Sequence, residues 1–275
     1  MTAQTSRAFR FSIGIHSAKS GAALRDKARR LEDAGFDALY LPDHIGAPAP
    51  FPVLTAIASA TSTVRLGTYV LNAGFYKPAL LARDAAEVDQ LSDGRLDLGL
   101  GAGYVREEFE AAELPYPTAR QRVDYLEHVT TYIKKHLPKV PILIAGNGNR
   151  LLTIAAQHAD IIGLTGASSG DAADPLADRV EFVRNAAGDR FADLELNLAI
   201  TAVPSDNSGK PDLALTRRFV DLSDEELLAL PSVLSGSPRE IADTLRGYRD
   251  KYGLTSFTFQ ENHVDTIAKV IPELR

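Results

Sequence analysis

A (β/α)8 barrel (TIM barrel) formed as one domain over residues 1–275 is the fold class this sequence predicts, and three observations predict it. The length of 275 residues lies close to the ~250 typical of that closed barrel. Short apolar runs of strand type alternate along the chain with apolar stripes of helical spacing, and such alternation implies a parallel sheet, because parallel neighbours need crossovers. Eight such units fit into one chain of this size, which favours closure over an open doubly wound sheet. The open sheet would carry Gly-x-Gly-x-x-Gly after its first strand, and Gly14-Ile15-His16-Ser17-Ala18 does not supply it.

The elements follow in order. Residues 9–15 alternate and end at His16, the first strand. Leu24, Ala28 and Leu31 recur at helical spacing, and Gly35 stands where a left-handed residue ends a helix. Residues 37–41 form the second strand, closed by Pro42, and residues 64–70 the third. Leu81, Ala85, Val88 and Leu91 mark a helix that Gly94 ends. Residues 95–100 run as the fourth strand into Gly99-Leu100-Gly101-Ala102-Gly103. Val123, Leu126, Val129 and Ile133 line a helix that Thr118 and Gln121 cap as a capping box. Strands at residues 140–145 and 160–164 precede helices at 150–156 and 175–187. Residues 194–200 form the seventh strand. Ser237-Pro238-Arg239-Glu240 is a helix start with an N-cap serine, proline at N1 and glutamate at N3. Ile241, Leu245, Tyr248 and Tyr252 continue it to Gly253. The last strand covers residues 256–259, and Val264, Ile267, Ile271 and Leu274 mark the last helix.

Two segments fit the plan poorly. Residues 164–175 are small and polar and read as a mobile loop. Residues 204–234 begin rich in Pro, Asp, Ser and Gly and contain a capped stretch at Ser223 and Glu226. Both follow predicted strands, where barrel insertions lie over the active-site face, so both are expected as pocket walls or a lid. An ordinary surface excursion is an equal reading of the second.

Composition narrows the function. Apolar residues make up 45% and charged residues 24%, as in soluble globular domains. A net charge of −6 argues against binding nucleic acid or an anionic membrane. The absence of cysteine excludes disulfides, thiolate metal sites and cysteine nucleophiles. The first seven residues are polar and no apolar run approaches eighteen, so a cytoplasmic protein without a targeting segment is expected. The chain has no tryptophan, the largest aromatic platform.

A barrel places its chemistry at the C-terminal strand ends. The polar residues there are His16 after strand one, Asp43 and His44 after strand two, and Asn72 after strand three. Ala102, Gly103 and Tyr104 follow strand four. Gly146-Asn147-Gly148-Asn149 follows strand five and Thr165 strand six. Gln260, Glu261, Asn262 and His263 follow strand eight. Three of the six histidines are in this set. Taken singly, each has a structural reading: Asp43 as a turn residue, His44 as a partly buried histidine, the glycines as tight packing or loop. Gly146 and Gly148 carry more, because backbone N–H groups at the start of the following helix form an anion site that glycine lets phosphate approach, with Arg150 adding charge. No metal site is expected, since the histidines lack ligand spacing and no carboxylates cluster beside them. A Ser–His–Asp hydrolase is a poor reading, because there is no Gly-x-Ser-x-Gly elbow.

The combination resembles the bacterial luciferase-like family. Leu41-Pro42-Asp43-His44, Val64-Arg65-Leu66-Gly67-Thr68, Pro78, and Leu91-Ser92-Asp93-Gly94-Arg95-Leu96-Asp97-Leu98-Gly99-Leu100-Gly101-Ala102-Gly103 carry the likeness. Pro141-Ile142-Leu143-Ile144-Ala145-Gly146, Ala159-Asp160 and Gly236-Ser237-Pro238 extend it over nearly the whole chain. Within the family the sequence looks most like the branch using coenzyme F420, a deazaflavin. The resemblance implies a ring held in the C-terminal mouth, with Asp43 and His44 beside it. A cis peptide is implied at Tyr69–Val70, against the back of the ring. Ring contacts are implied for Asn72, Ala102 and Gly103, and a phosphate site for Asn147, Gly148, Arg150 and Leu151. Thr165 matches a substrate-pocket position, and His16, Tyr104, Gln260 and His263 are further pocket candidates. Asp43 is expected to orient the ring or His44, and His44 to act as general acid or to hydrogen-bond the acceptor.

The expected activity is an oxidoreductase passing hydride between reduced deazaflavin and a small organic substrate, with a homodimer as its assembly. The rivals are an FMN-dependent monooxygenase and a non-catalytic F420-binding protein. The sugar-phosphate dehydrogenases of the branch carry a catalytic glutamate where this chain has Tyr104, and a tryptophan beside the histidine, so sugar-phosphate oxidation is not expected. They also have an asparagine cofactor contact where this chain has Glu107, and that role is not carried over.

Overall fold

The computed structural model describes residues 7–17, 19–166, 174–218 and 220–275. Among the described residues, nine parallel strand segments run β1 (Arg10–Gly14), β2 (Ala38–Leu41), β3 (Arg65–Thr68), β4 (Leu71–Asn72), β5 (Leu96–Gly101), β6 (Ile142–Ala145), β7 (Ile161–Leu164), β8 (Glu195–Ala199) and β9 (Ser256–Gln260). Their spatial order is β3-β2-β1-β9-β8-β7-β6-β5-β4, and β3 also pairs with β5, which closes the sheet. β3 and β4 are one barrel strand broken at the cis Tyr69–Val70 bond, and each piece pairs with β5. The result is the closed, eight-stranded (β/α)8 barrel that the alternating pattern predicts.

Among the described residues, eight α-helices surround or connect the strands where periodicity or capping residues put them. These are α1 (Gly21–Asp33), α3 (Pro78–Leu91), α5 (Ala119–His136), α6 (Asn149–His158), α7 (Pro175–Ala187), α9 (Pro238–Tyr252), α10 (Val264–Leu274) and the short α8 (Asp224–Leu228) within the long excursion. The capping boxes at Thr118/Gln121, Ser223/Glu226 and Ser237/Glu240 all form, each satisfying N-terminal donors in both directions. Two helices have no counterpart in the sequence reading. α2 (Pro50–Ala58) has prolines in its first turn, which mimic a loop, but proline is tolerated there because its missing N–H would be unpaired anyway. α4 (Arg106–Ala111) is only six residues long, too short for periodicity to reveal. The predicted loop at residues 164–175 falls largely on residues 167–173, outside the described residues.

Strand pleating divides the side chains into two sets. Phe11, Ile13, Leu39, Leu41, Leu66, Leu98, Leu100, Ile142, Ile144, Ile162, Leu196, Leu198, Phe257 and Phe259 face outward and pack on helical Leu24, Leu31, Leu54, Leu81, Val88, Leu126 and Ile133. The inner set is unusually polar near the N-terminal strand ends. The buried Asp97 carboxylate accepts from Arg10, from the Tyr40 hydroxyl at 2.9 Å and from Arg65 Nε at 2.8 Å, and Arg10 also pairs with Glu195 at 3.1 Å. A buried charge is tolerable only with partners of this kind. One layer higher, the Tyr69 hydroxyl donates to Asn197 Oδ1 at 2.9 Å, and Asn197 Nδ2 donates to Ser256 and Thr258. At the C-terminal end the inward positions are Gly101, Ala145, Gly163 and Ala199. Two of these are closely packed: a Cβ at Gly101 would stand 2.6 Å from Val70 Cγ2, and one at Gly163 2.7 Å from Ala145 Cβ. Among the described residues, no helix is long and apolar enough to cross a membrane.

Candidate active site

The strand ends bring the sequence-derived residues into three groups around the mouth. The first joins β2, β4 and β5. The Asp43 carboxylate accepts the Asn72 backbone N–H at 3.0 Å and a hydrogen bond from the Tyr76 hydroxyl. Burial raises its pKa, and these two donors offset only part of that. Asp43 thus ties the end of β2 to the turn after β4 and does not orient His44. The partner of His44 is Glu108, whose Oε1 lies 2.8 Å from Nδ1, with His44 47% exposed and Glu108 16%. Asn72 is buried, and its Oδ1 accepts Gly74 N–H at 3.0 Å. Gly103 sits against it with φ +70°, where a Cβ would come 2.1 Å from Asn72 Oδ1, so no other residue fits. The Gly103 carbonyl is held by Arg122 Nε at 2.8 Å.

Glu108 was not legible in the sequence, because its helix was not. α4 is fixed by Phe109, buried against Phe75 and Tyr116 with ring centroids 5.3 Å away in both cases, and pressed on Gly74. Anchoring Phe109 to the turn after β4 sets the preceding residue beside the end of β2. A lone aromatic among Glu107, Glu108 and Glu110 was the available signal.

The second group joins β1 and β9, which are hydrogen-bonded neighbours with Gly14 opposite Gln260. His16 Nε2 lies 2.9 Å from Gln260 Oε1, and the Glu261 carboxylate accepts the His16 backbone N–H at 2.9 Å. Burial alone would raise the Glu261 pKa, but Lys27, His16 N–H and Ser17 outweigh it and hold the carboxyl below its ordinary value. His263 corrects an expectation. It is 3% exposed, and its Nδ1 accepts the Gln260 backbone N–H at 3.2 Å. It shapes the turn after β9 and presents no surface to a substrate.

The third group lies at the N-terminus of α6. Its cap residue is Gly148, no side chain caps the helix, and nothing lies within 4 Å of where a Gly148 Cβ would be. Leu151 packs under Gly146. The Arg150 guanidinium pairs with Asp124 of α5, so its charge is partly answered within the chain. A second cation that sequence reasoning missed is Arg179, the fifth residue of α7, 11% exposed, which pairs with Asp178 and donates to Asn149 Oδ1 at 2.6 Å. Only the packing of α7 on α6 reveals it. Asn147 is half-buried and Thr165 exposed at the same rim. Tyr104 stands apart: it is 69% exposed, and its carbonyl accepts from Tyr116. Ala102 is half-buried beside Gly103, and Tyr69 and Val70 are partly exposed where they border the inner core.

The model of one family, described as luciferase-like monooxygenase, matches residues 1–220. A 5,10-methylenetetrahydromethanopterin reductase of Archaeoglobus fulgidus is 30% identical over 149 residues, 47% of this chain and 45% of that protein. An F420-dependent glucose-6-phosphate dehydrogenase of Beutenbergia cavernae is 32% identical over 160 residues, 54% of this chain and 47% of that protein. The chain thus spans about half the length of the curated relatives it matches. In structure it is similar to the coenzyme F420-dependent tetrahydromethanopterin reductase of Methanopyrus kandleri, with TM-score 0.79 and 17% identity over 98% of this chain and 100% of that one. It is also similar to a long-chain alkane monooxygenase, with TM-score 0.78 and 15% identity over 98% and 91%. At such identities these two likenesses show the fold. With the family matched over four-fifths of its length, the chain belongs to the luciferase-like monooxygenase family.

Proposed function

We propose that this protein is a coenzyme F420-dependent oxidoreductase acting on a small organic substrate. The observation that carries the reading is the mouth itself, with an uncapped, open helix N-terminus on one side and an exposed, carboxylate-paired histidine on the other. The first suits a phosphate and the second a proton exchange. The F420-dependent relatives support the choice of cofactor.

The residues present fit a deazaflavin. Gly148, Asn147, Leu151 and the α6 N–H groups would hold its phosphate, with Arg150 and Arg179 as nearby charge. Gly101 and Gly163 have no room for a side chain on the inner face, since a Cβ at Gly101 would stand 2.6 Å from Val70 Cγ2 and one at Gly163 2.7 Å from Ala145 Cβ and 3.0 Å from the Tyr69 hydroxyl. Tyr69, Val70, Asn72, Ala102, Gly103 and Asp43 would border the ring. The group supplies or takes up a hydride when bound. His44 gives the accompanying proton to the acceptor in the direction of reduction, which is the direction we favour. His16, Gln260, Thr165 and Tyr104 would line the substrate side. Tyr104 and the lack of tryptophan argue against sugar phosphates as substrates.

Turnover tests the reading. Under anaerobic conditions, reduced F420 with a panel of activated alkenes, imines and ketones is expected to be oxidised in an enzyme-dependent way by at least one class. Failure with every class, together with failure of oxidised F420 to accept hydride from alcohols, would leave a cofactor-binding protein without this activity.

A further inference from the structure

We infer that Glu108 is a positioning residue for His44, holding the neutral imidazole in the tautomer protonated at Nδ1 and leaving Nε2 as the atom that exchanges a proton at the mouth. The tautomer follows from the geometry alone, and the role of Nε2 rests on the oxidoreductase reading above.

A carboxylate can only accept hydrogen bonds. With Glu108 Oε1 at 2.8 Å from Nδ1, the shared hydrogen belongs to the imidazole. The other nitrogen of a neutral ring is then an acceptor, because the bond made by one nitrogen sets the state of the other. Among the described residues, no second carboxylate is hydrogen-bonded to or ion-paired with His44. Asp43 is adjacent in sequence, but its oxygens are engaged by Asn72 N–H and the Tyr76 hydroxyl. His44 needs such a partner because it is 47% exposed and has little packing to fix its ring. Glu108 can provide it because it is 16% exposed and sits on a helix that Phe109 locks into the fold. The arrangement matches the way a buried aspartate fixes the imidazole tautomer in a Ser-His-Asp triad. Here it makes neutral His44 a proton acceptor at Nε2, and the protonated ring a donor from that same atom.

Nitrogen-15 chemical shifts of the histidine side chains read the tautomer in protein without cofactor or substrate, with the His44 signal assigned by its loss in His44→Gln. In the wild type, at a pH where the rings are neutral, His44 is expected mainly protonated at Nδ1. Glu108→Ala removes the acceptor, and the His44 signals should move toward the mixed or Nε2-protonated pattern. Glu108→Gln keeps an oxygen acceptor and should restore the wild-type pattern. Single-turnover hydride transfer at saturating cofactor should fall about 10-fold or more in Glu108→Ala, in the range seen when a ligand-orienting partner is removed, with cofactor Kd unchanged and recovery in Glu108→Gln. A wild-type His44 protonated at Nε2, or a tautomer that ignores Glu108→Ala, overturns the inference. So does a rate that ignores Glu108→Ala in an active enzyme. Absence of hydride transfer in the wild type would instead overturn the functional reading and the assigned use of Nε2, while the tautomer result stands.

Discussion

His44→Ala is expected to lower the single-turnover rate of hydride transfer about 100-fold or more, the usual size of a general acid–base contribution. The side chain stands at the C-terminal end of β2, half exposed, with Nδ1 committed to Glu108 and no other ion pair among the described residues. The groups proposed to hold the cofactor phosphate lie on α6, across the mouth. Cofactor affinity should therefore change little, and the loss should appear in the rate at saturating reduced F420. A histidine that merely packed beneath the ring would behave in the opposite way, losing affinity and thermal stability together while keeping turnover per bound cofactor. Rapid-mixing measurements at saturating cofactor, paired with a binding titration of the variant, separate the two. A near-wild-type rate would transfer the proton to His16 or to solvent. Gln260 lies 2.9 Å from His16 and is its partner at the rim.

The second large effect is on stability and is pH-dependent. Burial pushes the His263 pKa down from its ordinary 6.5 to about 4, with Asp212 pulling weakly the other way. In the unfolded chain this ring takes up a proton as pH falls below about 6.5, whereas in the folded protein it does not until about 4. The unfolded state therefore binds more protons in that window, so stability falls as pH drops through it and is unaffected by this group above it. A gap of this size corresponds to about 3 kcal/mol, reached near pH 4. His263→Asn keeps an acceptor for the Gln260 N–H but cannot titrate. Chemical denaturation between pH 7 and 4 should show the wild type losing about 3 kcal/mol more than the variant. Parallel curves for the two proteins would mean that His263 is protonated in the native state without cost, and would return it to the list of groups open to the mouth.

The fates of His263 and His44 show what the sequence made legible and what it hid. Both were visible as polar residues at strand ends, because barrel topology follows from alternating patterns that each need only local residues. The patterns also located the capping boxes and the glycine ends of α1 and α9, and they put His16 and Gln260 at strand ends that the structure then pairs. Burial and partner choice depend on residues far apart in the chain, and these were not readable. His263 turns inward to hold its own strand end, 3% exposed, while His44 faces out toward a glutamate 64 residues later. Asp43 was expected to orient the ring or His44; of these two, the structure gives it no hydrogen bond to His44, and its carboxyl instead takes Asn72 N–H and Tyr76, brought there by the turn after β4. α2 was masked by its prolines and α4 by its brevity, and Glu108 was missed with α4. Arg179 sits in a helix the sequence did locate, but only the packing of α7 on α6 carries it to Asn149. The resemblance to the luciferase-like family supplied the Tyr69–Val70 cis bond, which no local pattern would suggest.

The central claim is the identity of the cofactor, and titration of the purified protein with F420 and with FMN, followed by fluorescence, tests it most directly. The account predicts F420 binding at micromolar or tighter Kd, with FMN at least tenfold weaker, a difference of about 1.4 kcal/mol. FMN binding as tightly as F420, or more tightly, would contradict it and move the protein to the flavin-dependent monooxygenases of the same fold.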